Sequence, residues 1–307
     1  MRHVISVQDF SVEEITSVLD RAEEMVAIAR GQDISDALKG KILACIFYEP
    51  STRTRLSFET AMRRLGGAVI GFAGPEATSV VKGETLADTI RMVSAYADAV
   101  VLRHPREGAA RLATRFSDVP ILNAGDGAGQ HPTQTMLDLF TIRTGMGRLD
   151  GLNISLVGDL RYGRTVHSLA IALAKFGSKI NLVSPEGLEM PGEVVSFLEE
   201  TGMFGKACHS PEEVIADTDI LYATRIQKER FPDQVEYEKV AGVYRVDPEL
   251  VQRGPDHMMI MHPLPRVNEI TPEVDSMPQA KYFEQAFNAV PVRVALLSMV
   301  IGGQQDV

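Results

Sequence analysis

Cysteine is scarce: Cys45 and Cys208 are the only two in 307 residues. They lie in separate apolar segments and neither belongs to a CxxC pair, so a zinc site of the usual spacing is excluded. Two such thiols do not suggest a disulfide framework, and a reducing cytoplasm is the expected compartment. Positive charge is also in short supply. Lys plus Arg number 31 against 41 Asp plus Glu, a net charge of −10. That balance counts against nucleic acid and against an anionic membrane as partners, because both demand a net positive surface. No stretch approaches the roughly 20 apolar residues needed to span a bilayer. The N-terminal MRHVISVQDFSVEEI has no long apolar run behind its basic residues and does not read as a signal peptide. Internal repeats and low-complexity tracts are missing too.

What is present is an ordinary globular composition, 45% apolar and 23% charged. The length exceeds that of a usual single hydrophobic core, which predicts two domains. Ser11 and Glu14 form a capping box ahead of a helical stripe of Val12, Ile15, Val18, Leu19 and Ala22. KILACIFY (41–48) is a continuous apolar run, as expected of a strand buried on both faces. Further strands are expected at 68–73, 99–104 and 119–125, with helices at 56–67, 86–97 and 107–116. A connecting helix at 131–144 leads to a second alternating series that opens with the strand 152–160 and the helix 162–177. The segment 281–303 reads as a helix or a bent helix pair with Pro291 at the bend. The fold class is α/β: two doubly wound domains, each with a mostly parallel sheet flanked by helices. Ligands in such sheets sit beyond the carboxyl ends of the strands, so the residues after each strand carry the functional reading.

After the first strand comes Glu49-Pro50-Ser51-Thr52-Arg53-Thr54-Arg55 and then a helix. Hydroxyls and unpaired N–H groups at a helix start, with a forked guanidinium, suit phosphate. An isolated Ser-Thr-Arg more often just caps a helix, but the strand-turn-helix setting favours an anion. The run 123–134 has three glycines in a row of alternate positions, then His131 and Gln134 on one face of a helix start. There a neutral imidazole can donate to a carbonyl oxygen and a carboxamide can read an amide; a local histidine cap fits equally well. Gly158-Asp159-Leu160-Arg161-Tyr162-Gly163 stands where a dinucleotide fingerprint would, without its central glycine, which argues against a nicotinamide cofactor. Arg164 follows at a helix start and suits a carboxylate. Thr224-Arg225-Ile226-Gln227-Lys228-Glu229-Arg230 and His262-Pro263-Leu264-Pro265-Arg266 each follow a strand, and Ser79-Val80-Val81-Lys82-Gly83 forms a loop before a helix. Each of these also reads as a plain structural loop. No metal-ligand cluster, Walker loop or Gly-x-Ser-x-Gly elbow is present. Arginines and amides without an evident nucleophile suit group transfer between anions by positioning and electrostatics.

The run Phe47–Glu59, together with KGETLADTI, RHPREGAARLA, NAGDGAGQHPTQTMLDLFTI, GDLRYGRTVHSLA, TRIQKERF and HPLPRVNEI, resembles the aspartate and ornithine carbamoyltransferase family nearly end to end. Pro263 stands where the ornithine branch has a cysteine, so the aspartate branch is the better likeness. The resemblance implies carbamoyl transfer from carbamoyl phosphate to L-aspartate in pyrimidine synthesis, with no cofactor and no metal. It implies a carbamoyl-phosphate domain (1–130 plus 284–307) and an aspartate domain (131–283). It further implies a homotrimer with shared active sites, and it leaves open whether a separate regulatory chain binds. Ser51, Thr52, Arg53 and Thr54 match the family's phosphate turn. Arg103, His131 and Thr54 match the groups around the carbonyl oxygen; Gln134, Pro263 and Leu264 match the readers of the carbamoyl N–H2. Arg164, Arg225 and Gln227, with Leu264 and Lys82, match the aspartate contacts. Ser79 and Lys82 match a loop contributed by a neighbouring subunit, although TSVVKGET carries one lysine before the glycine where some members have two. Glu49, Arg164 and Arg230 resemble an interdomain clamp. An ornithine-type enzyme, a Rossmann oxidoreductase and a silent assembly subunit are the competing readings, disfavoured by Pro263, by Gly158–Gly163 and by the intact set of site residues respectively.

Overall fold

The computed structural model describes residues 3–74, 78–226 and 244–302. The chain divides into two compact units, Met1–Phe140 with Phe287–Val307, and Thr141–Ala286. The two crossings fall inside two helices, at 140/141 and 286/287, against 130/131 and 283/284 expected from the sequence.

The first unit opens with α1 (Val12–Glu24) and α2 (Val26–Arg30). The Ser11–Glu14 capping box is present in both directions, at 3.2 and 2.8 Å. Four strands follow: β1 (Ile42–Phe47), β2 (Ala68–Ala73), β3 (Ala99–His104) and β4 (Ile121–Asp126). Between them run α3 (Thr52–Arg64), α4 (Leu86–Ser94) and α5 (Ala109–Ala113). The sheet is parallel in the order β2-β1-β3-β4. β1 is buried over all but its first residue, as its uninterrupted apolar run requires, whereas the edge strand β2 is largely exposed. α5 covers only part of the expected 107–116. Then α6 (Pro132–Met146) leads into the second unit.

That unit contains β5 (Asn153–Val157), α7 (Arg164–Lys175), β6 (Lys179–Val183), α8 (Gly192–Glu200), β7 (Phe204–Cys208), β8 (Ile220–Ala223), α9 (Pro248–Gln252) and β9 (Met259–Met261). Its sheet is parallel in the order β7-β6-β5-β8-β9. The last helix, α10 (Tyr282–Ile301), is a single helix with Pro291 inside it rather than a bent pair. Proline removes one intrahelical N–H, but the flanking Ala289, Val290, Val292 and Val294 are all buried and hold the helix through it. By length and composition α10 is apolar enough to cross a membrane, contrary to the sequence reading. With 61% of that apolar window buried within the protein, it is a core helix.

Both sheets secure their central strands with the same device. Asp98, directly before β3, accepts the N–H of Ile42 at 2.8 Å, and Asp219, directly before β8, accepts the N–H of Asn153 at 2.8 Å. In each case the aspartate's own N–H returns to the carbonyl of that same residue, at 2.8 and 2.9 Å. Asp219→Ala strands the Asn153 N–H at the start of β5. A lost acceptor for a half-buried donor costs about 1–3 kcal/mol. A lowered urea midpoint of that size is expected, and an unchanged midpoint would mean that water replaces the carboxylate.

Candidate active site

In the first unit, β1, β3 and β4 are neighbours, so the residues after them meet at one sheet end. α3 starts directly behind β1, and its N-terminus is chemically unusual. Ser51 occupies the cap position, yet its side chain makes no capping bond and the first turn holds no acid. Three helices show the contrast, although the short α2 and α5 also start without a side-chain cap or an acid. α1, α4 and α9 are capped by Ser11, Thr85 and Asp247, and each has an acid in its first turn. The plain capping role for Ser51 therefore fails. Arg55 is paired with Glu59 at 2.7 Å, whereas Arg53 has no carboxylate partner among the described residues. A positive helix end with an added guanidinium and free N–H groups is an anion site.

Arg103 projects from the end of β3. Its Nη1 donates to the carbonyl of Ala124 on β4 at 3.0 Å, and its Nε lies 3.7 Å from Glu49 Oε2. Burial works against the Arg103 charge, Glu49 supports it and nearby Arg53 opposes it. Behind β4 the chain makes a tight turn held by two buried side chains. Asn123 Nδ2 donates to the carbonyls of Ile5 and Gln130 and to Asp126 Oδ1, at 3.0, 3.2 and 3.1 Å. Asp126 accepts the N–H groups of Gly108 and Gln130 at 2.9 and 2.8 Å. Gly127 has φ +53°, and a Cβ there would come within 2.7 Å of the Pro105 carbonyl. The turn delivers the buried His131 and, one turn on, Gln134, whose Nε2 donates to Asp138 at 3.0 Å.

The Arg293 guanidinium of α10 lies beneath both segments, 2% exposed. One Nη donates to Ser57 of α3 and the other to Thr133 of α6 at 3.4 Å, while the guanidinium carbon stacks 4.5 Å over the Phe58 ring. Ser57 in turn donates to the carbonyls of Arg53 and Thr54. Thr133 Oγ1 lies 3.5 Å from His131 Nδ1. Ser79 and Lys82 form a one-turn 3-10 helix after the edge strand β2, capped by Thr78 and closed by Gly83. Both are exposed, and among the described residues no hydrogen bond or ion pair ties either to Ser51–Thr54, Arg103 or His131.

In the second unit, β5, β8 and β9 are neighbours, which brings Arg164, Arg225 and the 262–266 loop to adjacent strand ends. The turn after β5 needs Gly158: φ is +120° and a Cβ would meet the Thr224 carbonyl at 2.4 Å. Like α3, α7 has no side-chain cap and no acid in its first turn, and Arg164 is its first residue. Gln227 and Arg230 lie outside the described residues. The sequence reading gives no role to His262 and Glu269, which bond to each other at 2.8 Å, nor to Asn123, Asp126 and Arg293. The NAGDG run hints at Asn123 and Asp126. For Arg293 no local sequence signal exists, since Ser57 is 236 residues away.

Arg293→Met removes the charge while filling most of its volume. Because no carboxylate is left behind, the folding free energy is expected to stay within about 2 kcal/mol of wild type by urea unfolding. A loss beyond about 4 kcal/mol would show that the charge itself holds α10 in place.

Comparison with known proteins agrees with this layout. Residues 2–144 match the carbamoyl-P binding domain of the aspartate/ornithine carbamoyltransferases, and residues 150–300 match their Asp/Orn binding domain. The chain is 57% identical over 304 residues to the aspartate carbamoyltransferase catalytic subunit of Methanopyrus kandleri, covering 98% of both, and 55% identical over 302 residues to that of Methanocella arvoryzae, covering 98% and 97%. Among solved structures, the catalytic subunit of M. jannaschii aspartate transcarbamoylase superposes with TM-score 0.92 at 53% identity over 99% of each chain. The Trypanosoma cruzi enzyme in complex with carbamoyl phosphate and aspartate gives 0.92 at 39% identity over 98% and 97%. The chain belongs to the aspartate/ornithine carbamoyltransferase family.

Proposed function

We propose that the chain transfers the carbamoyl group of carbamoyl phosphate to the amino group of L-aspartate, giving N-carbamoyl-L-aspartate and phosphate in pyrimidine synthesis. One observation carries this reading beyond the family match. Each unit presents, behind a central parallel strand, a helix start with no cap, no acid and an arginine in its first turn. Two anion sites fit a phosphate donor and a dicarboxylate acceptor.

The first unit is then the carbamoyl-phosphate domain and the second the aspartate domain. Ser51, Thr52, Arg53, Thr54 and Arg103 hold the phosphate. Arg103, His131 and Thr54 donate to the carbonyl oxygen. Gln134 and the carbonyls of Pro263 and Leu264 read the carbamoyl N–H2. Arg164, Arg225 and Gln227, with Leu264 and a neighbour's Lys82, take aspartate. Glu49, Arg164 and Arg230 clamp the domains. The aspartate amine attacks the carbamoyl carbon, a tetrahedral intermediate forms, and its collapse breaks the C–O bond to phosphate. The departing phosphate takes the amine proton, since no side chain in this set is an evident general base. The residues polarise and position, which suits developing negative charge on oxygen.

A homotrimer with shared sites completes the reading. The exposure of Ser79, Lys82, the β2 edge and the apolar Leu56, Ile70 and Val81 supports it. The relatives' name, catalytic subunit, makes a separate regulatory chain a candidate partner. The two free, buried thiols are compatible with the cytoplasm.

Colorimetric assay for carbamoyl-aspartate, with ornithine as control acceptor, tests the activity; carbamoylation of ornithine alone would overturn it. His131→Ala should lower kcat by about 10²–10³-fold, the usual worth of one oxyanion donor. Full kcat in that variant would remove His131 from the mechanism. Arg53→Ala and Lys82→Ala should each be nearly inactive, and mixing the two under subunit exchange should restore activity. Verified mixing without recovery would defeat the shared site.

A further inference from the structure

The segment His262–Glu269, between β9 and the short bridge of Ile270 to Val246, is braced far more heavily than a surface loop needs. His262 is 1% exposed. Its Nδ1 accepts the N–H of Leu264 at 2.8 Å, and its Nε2 lies 2.8 Å from Glu269 Oε1. The second Glu269 oxygen accepts the N–H groups of Val267 and Asn268, both at 3.0 Å. The His262 N–H donates to Gln285 of α10 at 2.8 Å. Farther along, Arg266 bonds Asp275 and the Tyr282 hydroxyl.

These bonds settle where the imidazole proton sits. A backbone N–H can only donate, so Nδ1 is bare and Nε2 carries the proton toward Glu269. Burial alone would raise the Glu269 carboxyl; the bonds from His262 and from backbone N–H groups outweigh it and bring it down to about 2. The acceptor of the Nε2 proton is therefore a carboxylate at any ordinary pH.

The proline pattern makes this bond decisive. Pro263 and Pro265 have no N–H, so Leu264 supplies the only backbone donor within the Pro-Leu-Pro run. The Leu264 N–H and the Pro263 C=O belong to one planar peptide unit and point in opposite directions. Fixing the N–H on His262 aims the Pro263 carbonyl away from it. Leu264 is held at φ +55°, the one non-glycine residue with positive φ among those described, a conformation that costs energy for a branched side chain and persists only when its surroundings enforce it.

We infer that His262 and Glu269 are positioning residues: a carboxylate-oriented imidazole that aims the Pro263 carbonyl at the transferred group. This rests on the carbamoyl-transfer reading, in which that carbonyl helps to read the N–H2. Neither residue touches substrate. Their effect runs through the direction of one peptide unit.

Two substitutions separate the two bonds. In His262→Asn the side-chain oxygen replaces Nδ1 and still accepts from Leu264. In His262→Gln the amide reaches Glu269 but gives Leu264 no acceptor. The expected result is that His262→Asn stays within about 5-fold of wild-type kcat/KM for carbamoyl phosphate. His262→Gln should lose about 10- to 100-fold, mostly in KM, the range for an N–H left without its acceptor. Equal losses in both, or a greater loss in His262→Asn, overturn the inference. A readout that needs no activity is the 15N spectrum of histidine-labelled wild-type protein, with the His262→Asn spectrum identifying the peak. A bare, hydrogen-bonded Nδ1 and a protonated Nε2 are expected; a protonated Nδ1 overturns the bridge. Wild-type protein inactive toward aspartate would sink the substrate reading, while the spectrum still decides the bridge.

Discussion

The first unit is organised around a buried positive charge. Arg293 comes from the last helix and reaches α3 through Ser57 and Phe58, and α6 through Thr133. It thereby joins the end of the chain to the two segments that carry Ser51–Thr54 and His131. No carboxylate accompanies it among the described residues. Burial drags the guanidinium down to about 9, still charged at neutral pH. The neighbouring Cys45 thiol is pushed up to about 12, chiefly by burial, and so adds no countercharge. Desolvating such a group costs several kcal/mol, and stacking on Phe58 with two hydroxyl acceptors offsets part of that. The folded unit therefore holds a positive interior directly behind the helix start where an anion is proposed to bind. That anion and the guanidinium attract each other through low-dielectric protein, so ligand binding and the seating of α10 reinforce one another.

The two units solve the same problem by the same means. Each parallel sheet ties its central strand with an aspartate standing before the neighbouring strand. Each then leaves the next long helix uncapped and cationic at its start. Capping would satisfy the exposed N–H groups but would also occupy them, and an acid there would repel an anionic ligand. A helix start without these stabilisers forgoes up to about 1–2 kcal/mol per cap. α1, α4 and α9, which face no proposed ligand, keep the ordinary arrangement.

Strands were legible where burial on both faces writes a continuous apolar run, as in β1 and β3: 99–104 coincides with β3, and β1 differs by a residue at each end; 68–73 coincides with β2 although that edge strand is largely exposed. The strand-turn-helix motifs were legible for a related reason, since site chemistry in these sheets is local to strand ends. What escaped is what the chain brings together from afar. Arg293 reads as one cation in an apolar helix, and only packing reveals Ser57 and Thr133 beside it. His262 and Glu269 are seven residues apart with no helical or strand period between them, so their contact depends on a loop path set by two prolines. Pro291 left a single helix and a bent pair both open, and the buried valines on either side carry a single helix through it.

Charge placement ties these observations together. With ten more acids than bases, an arginine on this surface readily finds a carboxylate, and many do: Arg21 with Glu24, Arg55 and Arg63 with Glu59, Arg91 with Asp88, Arg111 with Asp9. Such exposed pairs are each worth little. Arg53 stands apart from that pattern, and Arg103 meets Glu49 only at 3.7 Å without a hydrogen bond between them. An acidic body repels polyanions at long range, since the potential at a distance follows the net charge. Within a Debye length of about 8–10 Å the local cations govern instead. A small anion that enters that range meets two arginines and a helix start, whereas a polyanion would have to bring most of its charge against the acidic surface. The shortage of positive charge is thus a source of selectivity: few cations, gathered at the strand ends, admit small anions and exclude large ones.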